Sequence, residues 1–123
     1  MLLRTSMIAL TLIAGEFFAT SCYAHPKLTA ADPPADAVVS SSPKEIRLTF
    51  NESLTAKFSG IELTDQRGQQ VKTGAATIDP MDKKHLVIPL STPLPEGTYT
   101  ITWHVVGADT HRVQGRHSFT VKH

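Results

Sequence analysis

Hydrophobic and polar positions alternate most regularly near the C-terminal end. Tyr99, Ile101, Trp103 and Val105 alternate with Thr98, Thr100, Thr102 and His104, and further on His117, Phe119 and Val121 alternate with Arg116, Ser118 and Thr120. A period of two with one apolar face predicts half-buried strands. The two runs make a hairpin around a polar loop, residues 107–115, and both offer their apolar faces to one core. Within that loop Asp109 and His111 stand two residues apart, so in an extended backbone their side chains point the same way.

The same period recurs upstream. Residues 45–50 (EIRLTF) place Ile46, Leu48 and Phe50 inward. Residues 27–31 read as a short edge strand with Leu28 inward, and residues 58–64 as a strand with Ile61 and Leu63 on one face. Val71 and residues 75–78 are weaker strand signals, and residues 85–90 are apolar enough for a buried strand. Turns separate them: two prolines follow Asp32, Ser-Ser-Ser-Pro ends at Pro43, and Gly68 and Gly97 close two more. No stretch has helical periodicity and there is no internal repeat. Short strands with turns about every ten residues predict an all-β protein, a Greek-key sandwich or small barrel of about seven strands. Trp103 is the natural centre of the core. Tyr99, just after the Gly97 turn, is placed to hydrogen-bond back across a corner as in immunoglobulin-like folds.

Length changes the picture at the N-terminus. The chain has 123 residues, enough for one domain. Residues 1–24 read instead as a secretory signal: Arg4, an apolar run over residues 7–15, then Cys22-Tyr23-Ala24 with small residues at both cleavage-site positions. The apolar run is too short to span a bilayer. A lipoprotein signal also ends in Ser-Cys, but Ala19 stands where that signal wants a large aliphatic residue. Cleavage after Ala24 leaves residues 25–123, beginning at His25. The single cysteine is lost with the signal, so the expected mature domain has neither disulfide nor thiolate ligand. Loss of Arg4 and Glu16 leaves 11 basic and 10 acidic side chains, too even a balance for a nucleic-acid or membrane footprint. The expectation is a monomeric, exported, periplasmic protein without stable membrane insertion.

That cleavage creates chemistry. The α-amine of His25 would have a pKa of about 7.7–8.0 and yield its proton readily to a metal. Amine and Nδ1 of one histidine can chelate one ion, while Pro26 has no N–H to contribute. Asp109 and His111 can fill the remaining positions. A nitrogen-rich set with one carboxylate suits Cu(II).

The residues that carry this chemistry also carry a resemblance. His25-Pro-Lys-Leu28, Leu48-Thr-Phe-Asn-Glu52, Phe58-Ser-Gly60, Pro95-Glu-Gly-Thr-Tyr99, Trp103-His-Val-Val106 and Asp109-Thr-His111 followed by Gly115 resemble the CopC family of periplasmic copper-binding proteins. Trp103-His-Val-Val106 and Gly115-Arg-His117 are most like its single-domain YobA-type members. The resemblance implies an immunoglobulin-like sandwich that binds one Cu(II) through His25, Asp109 and His111 and acts in copper homeostasis, as resistance or as delivery to a CopD-type membrane importer. It places Glu52 near the metal, outside the direct ligands or as a weak axial one. Some members have a methionine-rich loop for Cu(I) at the opposite end. Here only Met81 remains after cleavage, with His85 four residues on, and one thioether is poor support for a soft-metal site.

Other histidines are less telling. His117 shares the face of Phe119 and reads equally as a core histidine or as a partner that orients a ligand. His104 reads as an exposed histidine among threonines, and His85 and His123 as surface groups. Two other functions fit parts of the pattern. A copper monooxygenase also holds its metal with an N-terminal histidine, but few aromatics are available for a flat substrate face, and Asp109 would fill a position oxygen needs. An immunoglobulin-like interaction module explains the strands and leaves the histidine terminus unexplained. The expectation is a binding protein, not an enzyme.

Overall fold

The computed structural model describes residues 25–123; the expected signal segment lies outside the described residues. Eight strands are present: β1 (Leu28–Asp32), β2 (Val38–Val39), β3 (Glu45–Phe50), β4 (Gly60–Thr64), β5 (Thr77–Ile78), β6 (His85–Pro89), β7 (Gly97–Val106) and β8 (Arg112–Val121). They form two four-stranded sheets, ordered β1-β3-β6-β5 and β2-β8-β7-β4. All pairings are antiparallel except β2 with β8, where Val38 and Val39 run parallel to Thr120 and Val121. The architecture is the expected sandwich, two sheets face to face rather than a closed barrel.

The core follows the alternation. Ile46, Leu48 and Phe50 face inward from β3, Leu86 and Ile88 from β6, and Ile61 and Leu63 from β4. From the hairpin come Tyr99, Ile101, Trp103, Val105, Phe119 and Val121. Trp103 stands edge-on to Phe50 across the two sheets, ring centroids 5.1 Å apart at 74°, a favoured aromatic geometry. Tyr99 stacks on Phe119 and its hydroxyl donates to the Pro95 carbonyl at 2.7 Å, the expected corner. Burial raises the Tyr99 phenol above its ordinary pKa.

Two expectations are corrected. The second arm of the hairpin begins at Arg112, not Arg116, and pairs rung by rung up to Val106 opposite Arg112. The alternation looked broken because Gly115 occupies an inward position. Gly115 lies opposite Trp103, and a Cβ there would come within 2.4 Å of the indole Cζ2. The indole fills the space that a side chain at 115 would otherwise take. The connecting loop is therefore residues 107–111. The second correction concerns Phe58, which is not in a strand. A 3-10 turn, Ala56–Phe58, precedes β4 and leaves Phe58 54% exposed. Phe58 has the parity of the outward positions Gly60, Glu62 and Thr64, so a strand there would have pointed it to solvent as well.

Three connections gather at the end of the sandwich that carries the loop. Leu54 bridges Gly107, and the Thr55 N–H donates to the Val106 carbonyl at 2.8 Å. Asn51, just past β3, clamps Lys27 from both sides: its Oδ1 accepts from the Lys27 N–H at 2.8 Å and its own N–H donates to the Lys27 carbonyl at 3.0 Å. Pro26 is fully buried beside them. Residues 25–27 are thus fixed against the hairpin loop.

Candidate metal centre

The loop that carries Asp109 and His111 is a tight turn. Thr110 N–H donates to the Gly107 carbonyl at 3.1 Å, and Thr110 itself sits at φ 67°. The left-handed region is costly for a β-branched residue. The turn brings Asp109 back onto His111: Oδ1 accepts from the His111 N–H at 3.3 Å, and Oδ2 lies 3.1 Å from Nδ1. The hydrogen bond to the His111 ring is the main cause that holds the Asp109 carboxyl below the usual carboxylate range. Partial desolvation opposes it, and the His111 N–H and the charges of His111 and His25 add to it.

His25 reaches the same place from the other end of the chain. Its ring centroid lies 5.1 Å from that of His111, the planes tilted by 55°. One ligand atom each from His25, Asp109 and His111 fall within 4.8 Å of one another, with both histidines exposed and Asp109 half-buried. Bond lengths near 2 Å keep the ligands of one ion within about 4 Å of each other. Movements of an ångström or less by exposed side chains would close the set, so the residues present fit a metal with two imidazoles and one carboxylate.

The remaining candidates separate cleanly. Glu52 lies alongside the site: its carboxylate rests over Gly107, where any Cβ would overlap Oε1 and come within 2.9 Å of Pro26 Cγ. Gly107 thus leaves room for a carboxylate next to the three-residue group. His117 is not brought to the site. It pairs with Ile101, five rungs below the loop and about 17 Å from it, and its Nε2 is 3.0 Å from the Pro33 carbonyl, so it is a satisfied, half-buried histidine. His85 is held at both nitrogens, by Thr49 Oγ1 at 2.8 Å and Asp82 Oδ2 at 3.2 Å, while Met81 is 91% exposed. His104 is half-buried rather than exposed and lies over Gly60, where a Cβ would meet its ring at 2.8 Å.

Sequence reasoning missed the devices that hold the candidate ligands in place. Asn51, the buried Pro26 and the open space at Gly107 became visible only with the fold. Their one outward signal is that each lies within a short distance, along the chain, of a candidate ligand or of Glu52.

The family model described as CopC domain matches residues 28–122. The chain belongs to the CopC family. It is 37% identical over 119 residues to Protein YobA of Escherichia coli strain K12, which covers 97% of this chain and 96% of that one. It is 39% identical over 127 residues to Copper resistance protein C of Escherichia coli, with 98% of each chain covered. The crystal structure of CopC from Methylosinus trichosporium OB3b superposes with a TM-score of 0.75 at 30% identity, covering 80% of this chain and 94% of the other. The function is copper-related, in a family of copper-binding resistance proteins rather than enzymes.

Proposed function

We propose that the chain is a periplasmic Cu(II) carrier that binds one ion per molecule at the mature N-terminus and acts in copper homeostasis. Signal cleavage after Ala24 frees the His25 amine. Amine and imidazole of His25, the imidazole of His111 and the Asp109 carboxylate then form the ligand set, with Glu52 beside them. The observation that carries this reading is the meeting of His25, Asp109 and His111, from opposite ends of the chain, at one end of the sandwich. The donor chemistry favours Cu(II) over softer Cu(I), since neither thiolate nor a methionine cluster is at hand. Among the described residues no helix is long and apolar enough to cross a membrane. By family resemblance the partner is a CopD-type importer in the inner membrane, and the carrier works as a monomer.

Titration of the domain beginning at His25 with Cu(II) tests the reading. One equivalent bound tightly by the parent and lost in the Asp109→Ala, His111→Ala double variant is the expected result. Equal binding by parent and double variant would overturn it.

A further inference from the structure

The turn that carries Asp109 and His111 has a second face. Thr110 lies between the two ligands in sequence and lines a hollow of about 510 Å³ on the outer side of the β4-β7-β8 sheet, with Gly107 and Ala108. His104, Val106, Lys57, Phe58 and Arg112 line it as well. Phe58 is one of only three large apolar side chains exposed among the described residues, with Val38 and Met81. The Lys57 ammonium stands 5.5 Å from its ring centroid. Aromatic side chains and arginine are enriched in interfaces, and the hollow holds Phe58 and Arg112 together.

The charged side chains that line the hollow have one sign. Lys57 and Arg112 are cationic, His104 supplies a further potential donor, and no carboxylate lines it. We propose that this hollow docks an acidic segment of the protein with which the chain exchanges copper, a segment with an apolar side chain next to carboxylates. The apolar side chain packs on Phe58 and Val106, and the carboxylates meet Lys57 and Arg112. A second copy of this chain is a poorer occupant. Its exposed Met81 stands between Asp79 and Asp82, but those carboxylates are already engaged by Arg47 at 3.1 Å and His85 at 3.2 Å, and Lys83 and Lys84 follow directly and would meet like charges. The partner's role as copper donor or acceptor rests on the proposed carrier function. The placement links the hollow to that function: a partner seated there touches Ala108 and Thr110, in the turn that carries Asp109 and His111.

Amide chemical-shift mapping on the metal-free, isotope-labelled domain beginning at His25 tests this. The probes are acetyl-Glu-Phe-Asp-Leu-amide, its Lys-Phe-Lys-Leu counterpart, and free glutamate. The acidic peptide should shift Lys57, Phe58, His104, Ala108 and Thr110 saturably, and bind at least about tenfold more tightly than the basic one. The Lys57→Glu, Phe58→Ser variant should lose that binding by a similar factor and still take up one equivalent of Cu(II). Because the shifts are read without copper, a failed carrier function and a failed docking site give different results. No shifts, shifts elsewhere, or equal response to the basic peptide would overturn the proposal. Equal response to glutamate would make the hollow a small-anion site, and concentration-dependent shifts of the protein alone would make it a self-association face. Either would also overturn it.

Discussion

Replacing Gly115 by alanine tests the packing that supports the hairpin. The added Cβ would lie 2.4 Å from Trp103 Cζ2, 2.8 Å from Cε2 and 3.0 Å from Cη2. Carbon atoms in contact sit about 3.5–4.0 Å apart, so the indole must retreat by about 1 Å. It has little room: Trp103 is 7% exposed and its ring abuts Phe50. The backbone cannot yield instead, because Trp103 and Gly115 are paired within a continuous ladder of ten rungs. Overpacking of this kind costs about 1–3 kcal/mol. A value of about 2 kcal/mol lowers the melting temperature of a domain this size by about 8–16 °C. Thermal unfolding of the domain beginning at His25, followed by circular dichroism, measures it, with Gln114→Ala on the opposite face as a control expected within about 0.5 kcal/mol of the parent. In a Trp103→Phe background the overlapping atoms are absent, and most of the Gly115→Ala penalty should vanish. A Gly115→Ala protein as stable as the parent, or a penalty unchanged by Trp103→Phe, would refute the reasoning.

Asn51→Ala removes the side-chain half of the clamp on Lys27. Loss of about 1 kcal/mol of hydrogen bonding in the segment that presents His25 should weaken Cu(II) binding by about fivefold, as read by competition with a chromophoric chelator. Tyr99→Phe deletes the bond to the Pro95 carbonyl and should destabilise by about 1 kcal/mol in urea unfolding, with copper uptake unchanged at the far end of the sandwich. Asp79 is held below its ordinary pKa, first by the Met81 N–H and then by Arg47. A lowered folded-state pKa gives stability that is present above the ordinary carboxylate value and is lost as pH falls through the lowered one. Asp79→Asn should therefore be less stable than the parent near neutral pH, with the gap narrowing below about pH 4. A gap that stays constant into acid would contradict that sign.

The sheets were legible because their cores alternate without interruption. Residues 45–50 show every inward position as an aliphatic or aromatic side chain, and the structure places each of them in the core. Legibility failed where an inward position is not hydrophobic. Gly115 hid the first half of β8 because its role is the absence of a side chain under Trp103. Phe58 misled in the opposite sense, being hydrophobic at a position of outward parity. At the site, His25, Asp109 and His111 could be chosen from donor chemistry and from the resemblance, since metal-ligating side chains announce themselves by type. Asn51, Pro26 and Gly107 act through backbone hydrogen bonding, burial and empty space. Those properties depend on which strands become neighbours, and no local pattern encodes them. His117 shows the same limit: its face could be read from the alternation, but its distance from the loop depended on where the strand began.

In the proposed carrier, copper is held by the amine that signal cleavage would create at His25. Cu(II) electron paramagnetic resonance on the domain beginning at His25, beside a sample carrying one additional N-terminal residue, tests it most directly. One equivalent with a tetragonal, nitrogen-rich signal in the first sample, lost or altered with a weaker affinity in the second, is the expected result. Identical spectra and affinities in the two samples would show that the His25 amine is not a ligand and would contradict the account.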